Sequence, residues 1–235
     1  MNSLALFALA LAPGAAIGLY IYFKDKYERE PIGLVVMSFF MGVASTIITL
    51  LISAPVNYII PIQKKSLSEQ AIHAFLLVAF IEEFSKFIFV RWVLYPNKNF
   101  NEPFDGIVYA VSVGLGFAGL ENILYVMGSE NGIATGIMRM FTAVPAHATF
   151  AVLMGYFMGI AKCEKGKAHY VWYGLGVATA FHGAYDYFWF ISYMPGLWTG
   201  AIASLLIGIF LSRKAIRMHQ QASPFITSGQ MEPLE

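Results

Sequence analysis

Charge is scarce in this 235-residue chain: Asp, Glu, Lys and Arg supply 12% of it, and the formal net charge is +1. No basic face is large enough to track phosphates, so a nucleic-acid partner is excluded. Cysteine is almost absent. The single Cys163 has no partner for an intramolecular disulfide and stands beside lysines in a short connection, away from any ligand cluster. There is no Ser–His or Cys–His nucleophile motif, no glycine-rich phosphate loop, no internal repeat and no low-complexity tract. Nor is any connection long enough to hold a soluble domain.

What remains is apolar. Hydrophobic residues make up 58% of the chain and its mean hydropathy is +0.63, the composition of a polytopic membrane protein. A span needs roughly 20 apolar residues, and seven runs qualify: 3–23, 33–60, 70–95, 104–128, 135–161, 170–191 and 197–212. The expected fold is therefore all-α, a transmembrane helical bundle forming one membrane-embedded domain over 1–218, with 219–235 a disordered cytoplasmic tail. The first run contains ALALA but has no basic segment before it, and it reads as a retained helix. Connections after runs 1, 3, 5 and 7 carry Lys24, Lys26, Arg29, Arg91, Lys98, Lys162, Lys165, Lys167, Arg213, Lys214 and Arg217, against Lys64, Lys65 and Arg139 on the other side. Positively charged loops stay in the cytoplasm, which predicts an external N-terminus and a cytoplasmic C-terminus.

Against this background the stretch AFIEEFSKF (79–87) is anomalous. A charged side chain at the bilayer centre costs about 2.5–3.5 kcal/mol, and Glu82 and Glu83 are adjacent. Lys86 lies one turn beyond Glu82 and can neutralise one carboxylate, which leaves the other without a local partner. Later runs add Glu121 and Asn122, then His147, then His182 and Asp186. One shared site explains these groups better than independent coincidences. Counting 1.5 Å per residue along alternately directed helices places them between the midplane and the outer leaflet. Hydrolysis is the chemistry that wants carboxylates and imidazoles in a low-dielectric cavity: one group takes a proton from water, and another returns it to the leaving amine. Water is then the nucleophile.

The order of these motifs is more specific than any one of them. EEFSK (82–86) matches an EExxK signature, and FDGIVYAVSVGLGFAGLEN (104–122), HATFAVLMGYFMG (147–159) and HGAYDYF (182–188) follow it. Over about residues 70–190 the chain resembles the PrsW family of bacterial intramembrane proteases, and more distantly the CAAX-prenyl endopeptidases and bacteriocin-processing membrane proteases. The resemblance implies a multi-pass protease of the bacterial cell membrane. It would cut a membrane-protein substrate, such as a single-span anti-sigma factor, near the extracytoplasmic side. It also makes Glu82 and Glu83 the essential glutamate pair and His182 the histidine of the final HxxxD motif. Glu121 stands where the CAAX-type enzymes carry the histidine of FxxxH, and Asp186 where they have asparagine.

On this reading Glu82 is the general base, Glu83 and Lys86 set its charge state, and Glu121 holds the water or shares its proton. His182 with Asp186 serves the oxyanion or the leaving group, His147 is the remaining catalytic candidate, and Asn122 joins Lys86 as charge-setting support. Glu121, His147, His182 and Asp186 could also ligate zinc. A glutamic-type peptidase without an obligatory metal is favoured over a metallo-type. A proton-coupled transporter uses the same residue types, but no paired halves with interrupted helices are present. An inactive chaperone-like homologue would have lost motif groups, and all of them are filled.

Overall fold

The computed structural model describes residues 3–60 and 66–226. Among these all the regular structure is helical. Helix α1 (Ser3–Lys24) and α2 (Ile32–Ile59) precede α3, which runs without a break through Leu67–Ile72, His73–Phe80, Ile81–Phe89 and Val90–Leu94. Then come α4 (Pro103–Gly128), α5 (Gly132–Phe141), α6 (Ala143–Cys163), α7 (Tyr170–Phe190) and α8 (Trp198–Gln221). The second and fourth segments of α3 are wound as π-type turns, as in the Tyr95 N–H bond to the Val90 carbonyl.

Five segments are long and apolar enough by composition to cross a membrane: Ser3–Lys24, Ile32–Val56, Pro103–Gly128, Gly132–Cys163 and Trp198–Gln221. Two of the seven expected runs, 70–95 and 170–191, fall outside this set. They are the helices that carry Glu82, Glu83 and Lys86, and His182 and Asp186, whose polar groups lower their apolar character.

Three expectations are corrected. The run 135–161 is two helices, broken at Thr142; Pro145 lies in the first turn of α6, where its missing N–H leaves no helical bond unmade. Arg139, read as a loop charge, lies within α5 and is buried. The last helix continues to Gln221, with His219 and Ser223 buried, so an unstructured tail does not begin at 219. Lys64, Lys65 and residues 227–235 lie outside the described residues.

Helix α4 is the axle of the bundle. Most of it is buried, with α2 on one flank and α6 on the other. Backbone contact makes this possible. A Cβ on Gly116 would overlap the carbonyl of Phe39 in α2, and one on Gly106 or Gly155 would overlap the other glycine's carbonyl across the α4–α6 seam. Small residues let membrane helices approach this closely. The approach brings Glu121 of α4 beside His147 of α6.

Candidate active site

The site begins with helix pitch. Glu82 and Glu83 project about 100° apart, yet both carboxylates reach Lys86 and His182. Glu83 turns inward and is 1% exposed; its Oε1 accepts from Lys86 Nζ at 2.7 Å. Lys86 lies farther from Glu82, at 3.7 Å from Oε2, so the ammonium neutralises Glu83 first. The side chain of Lys86 also lies over the Phe117 ring, 4.0 Å from its centroid. Buried this way, the ammonium is held by a carboxylate and an aromatic face rather than by water.

Glu83, which local spacing left unpartnered, has two partners. Its second is His182, whose Nδ1 lies 2.9 Å from Glu83 Oε1. The other ring nitrogen, Nε2, is 3.2 Å from Asp186 Oδ2 one turn along α7 and 3.8 Å from Glu82 Oε2. The His182 ring stacks on Phe150 at 4.8 Å between centroids, which fixes its plane. His147 is set edge-on to it at 5.2 Å.

His147 is held in a similar way: Nε2 lies 2.9 Å from Glu121 Oε2, while Nδ1 faces Lys86 Nζ at 3.4 Å. Glu121 is itself clamped by Arg139, whose NH2 group donates to Oε2 at 2.7 Å. Arg139 Nε donates to Asn122 Oδ1 at 2.7 Å, and the guanidinium lies over the Tyr125 ring at 4.1 Å. Asn122 completes the chain by donating to the Ala10 carbonyl of α1 at 2.8 Å. The structure thus brings together every residue singled out from the sequence and adds Arg139. The sequence carried one signal for it, a lone arginine inside an otherwise apolar run, but its pairing with Glu121 spans two helices.

Two oxygens of the glutamate pair, Glu82 Oε2 and Glu83 Oε2, are buried without a hydrogen-bond partner. Glu82 offers a carboxylate oxygen that, with a nitrogen each of His147 and His182, makes a group of donor atoms within 4.8 Å of one another. Among the described residues this is the group able to hold a metal ion, and it replaces the expected Glu121 and Asp186 with Glu82. Two imidazoles and a carboxylate are a common donor set for catalytic zinc. Each imidazole has a carboxylate on its other nitrogen, Glu121 for His147 and Glu83 for His182, the arrangement that orients histidine ligands. The group opens onto a cavity of about 840 Å³ lined by α2 through α7, including Thr49, Leu77, Leu124, Arg139, Tyr185 and Asp186.

Comparison with known proteins bears on this arrangement. The family described as PrsW family intramembrane metalloprotease matches residues 30–213. The Protease PrsW of Geobacillus kaustophilus is 35% identical over 234 residues, covering 98% of each chain. That of Bacillus subtilis is 37% identical over 186 residues, 78% of this chain and 82% of its own, and that of Clostridioides difficile is 32% identical over 197 residues, 81% of each. No solved structure matches.

Proposed function

The chain belongs to the PrsW family of intramembrane proteases, and on that premise we propose that the buried cluster is its hydrolytic centre, with Glu82, His147 and His182 the groups that would hold a zinc ion. The observation that carries this reading is the convergence of one donor atom each from Glu82, His147 and His182 within 4.8 Å, beside carboxylate oxygens of Glu82 and Glu83 that are buried without a hydrogen-bond partner. A carboxylate oxygen buried without a partner is costly, and a cation is one way to satisfy it.

When bound, such an ion lowers the pKa of water to about 7 and polarises the carbonyl under attack. The protein's own residues do the rest. Glu121 and Arg139 hold His147, and Glu83 and Lys86 hold His182. Asp186, 15% exposed on the cavity wall, takes the proton as the water oxygen attacks the carbonyl carbon. It returns that proton to the nitrogen as the C–N bond breaks. Glu82 becomes a ligand rather than the base assigned from sequence.

A second reading rests on Lys86, whose ammonium lies 3.4 Å from His147 Nδ1 and 3.7 Å from Glu82. In a glutamic-type enzyme that ammonium takes the place of the metal charge, and Glu82 itself accepts the proton of water. Metal content of purified protein decides between the two. The metal reading expects about one zinc per chain, with cleavage lost on chelation and restored by zinc. Full turnover by metal-free protein would establish the glutamic type.

The substrate class follows from the setting: a membrane protein with a segment that unwinds, because a continuous helix keeps its carbonyls in its own hydrogen bonds. We assign the cut to the extracytoplasmic half of a single-span protein such as an anti-sigma factor. Mass-spectrometric mapping of the fragments tests this, and cuts confined to the cytoplasmic half overturn it.

A further inference from the structure

The hydroxyl groups of α2 are not treated alike. Ser38 donates to the Leu34 carbonyl at 2.8 Å and Ser45 to the Gly42 carbonyl at 2.7 Å. Thr46 reaches the carbonyls of Gly42 at 3.2 Å and of Phe117, across in α4, at 3.3 Å. Bonding back to its own helix is the usual refuge of a hydroxyl in an apolar helix. Thr49, the next in line, does not use it. Its Oγ1 is buried without a partner, and the residue is only 6% exposed. Thr179 in α7 also has an unpartnered hydroxyl, but it does not line the cavity. Thr49 does, together with Ser53.

Thr49 and Ser53 are four residues apart, so their side chains share a face with their origins about 6 Å apart along the axis. An extended chain repeats its backbone direction every two residues, about 6.6 Å. The two spacings match closely enough for both hydroxyls to meet alternate peptide groups of one extended segment. The same cavity is also walled by Leu77, Val78 and Leu124, which offer room for apolar side chains. Water leaves the backbone groups of an unwound segment without partners at this depth, so the protein must supply them.

We propose that Thr49 and Ser53 form a backbone-binding rail for the extended segment of the substrate, beside the hydrolytic centre. This rests on the function proposed above, and it assigns the rail a recognition role without chemistry. A hydroxyl with alternative partners on each substrate backbone selects for extended conformation rather than for side-chain identity, and the apolar wall selects for side chains of the membrane interior.

The test uses the full chain carrying Glu82→Gln, so that bound peptide is not consumed. The probe is a fluorescent single-span Leu/Ala peptide of about 20 residues with a Gly-Ser-Gly break, read by anisotropy in micelles. Adding Thr49→Val should weaken binding about fivefold to tenfold, the range expected for one lost hydrogen bond in a dry site. Thr49→Ser, which keeps the hydroxyl, should stay within about twofold. A second probe with backbone esters at the break should narrow the gap between the Val and Thr forms, because an ester has no N–H to donate and its carbonyl is a weaker acceptor. Binding by the Val form within twofold of Thr, equal damage from Ser and Val, or no saturable binding at all would each overturn the rail. Residual cleavage by the Glu82→Gln chain would count instead against the hydrolytic centre, and the Thr49 comparison would still stand.

Discussion

Two buried polar clusters share this bundle, and they handle negative charge in opposite ways. In the first, Glu83 and Glu121 are matched to Lys86, Arg139 and two imidazoles, all within 2.9 Å of a carboxylate oxygen. The second gathers where the α1–α2 connection meets the start of α4 and the end of α8. Asp25, Glu30, Glu102 and Asp105 are each at most 1% exposed, and among the described residues none forms an ion pair. Their partners are hydroxyls and backbone N–H groups. Tyr109 donates to Glu30, Ser223 to Glu102, the Glu30 N–H to Asp25, and the N–H groups of Asn101 and Glu102 to Asp105. With no cation paired to them, burial pushes the Asp25 and Glu30 carboxyls up to about 7 and raises that of Glu102. Cations let the first cluster keep its charge in a dry place, whereas protons must serve the second. The first keeps its charge by pairing, and the second ties the α1–α2 connection and the end of α8 to α4.

The largest expected effect lies in the first cluster. Glu82→Gln keeps shape but removes a ligand or base, and turnover should fall below a tenth of wild type at saturating substrate, since metal or nucleophile activation supplies most of the rate. Retention above that level removes Glu82 from the centre. Arg139→Leu comes next. It leaves Glu121 free to abandon His147, and loss of such an orienting partner typically costs about 10–100-fold. Arg139→Lys should recover only part, because a point charge cannot reach Glu121 and Asn122 with one planar fork. Turnover within threefold of wild type for Arg139→Leu would make the arginine a packing residue only.

In the second cluster the effect is on stability and runs with pH. Asp25 and Glu30 ordinarily release their protons at 3.8 and 4.5, and folded they hold them to about 7. Because the folded state binds more protons, the stabilisation is complete below about pH 4 and declines as pH rises through about 7. The thermal midpoint in detergent should therefore be lower at pH 8 than at pH 5.5, and Asp25→Asn should flatten the slope. A midpoint that rises over this interval contradicts the assignment.

The smallest perturbation asks which cluster faces out. Cys163 is exposed and ends α6, whose Gly159 packs against the Pro103 carbonyl at the start of α4, which places it near the acidic end. With that end cytoplasmic, an impermeant thiol reagent added to intact cells should modify Ser66→Cys and spare native Cys163. The reverse pattern inverts the proposed orientation.

Much of this was legible without coordinates. Helix content follows from apolar run length, and the break at Thr142 was within reach because Pro145 stood in the run. The polar residues of the first cluster announced themselves because each is expensive in hydrocarbon, so Glu82, Glu83, Glu121, His147, His182 and Asp186 could be named from background contrast alone. The second cluster gave no such contrast: Asp25, Glu30, Glu102 and Asp105 sit in or beside connections, where carboxylates cost nothing until the fold buries them.

What the sequence by itself determined is therefore what hydropathy and helix pitch control: an all-α membrane bundle, the partnership of His182 with Asp186 at i, i+4, and the placing of Lys86 one turn beyond Glu82. Only the tertiary structure decided that Lys86 goes to Glu83 first, that Glu83 meets His182, that Arg139 clamps Glu121, and that Thr49 faces a cavity instead of its own helix. Those contacts join residues on different helices or choose between partners on one. They depend on how closely and at what rotation the helices pack, which the glycine seams along α4 set and which no local spacing encodes.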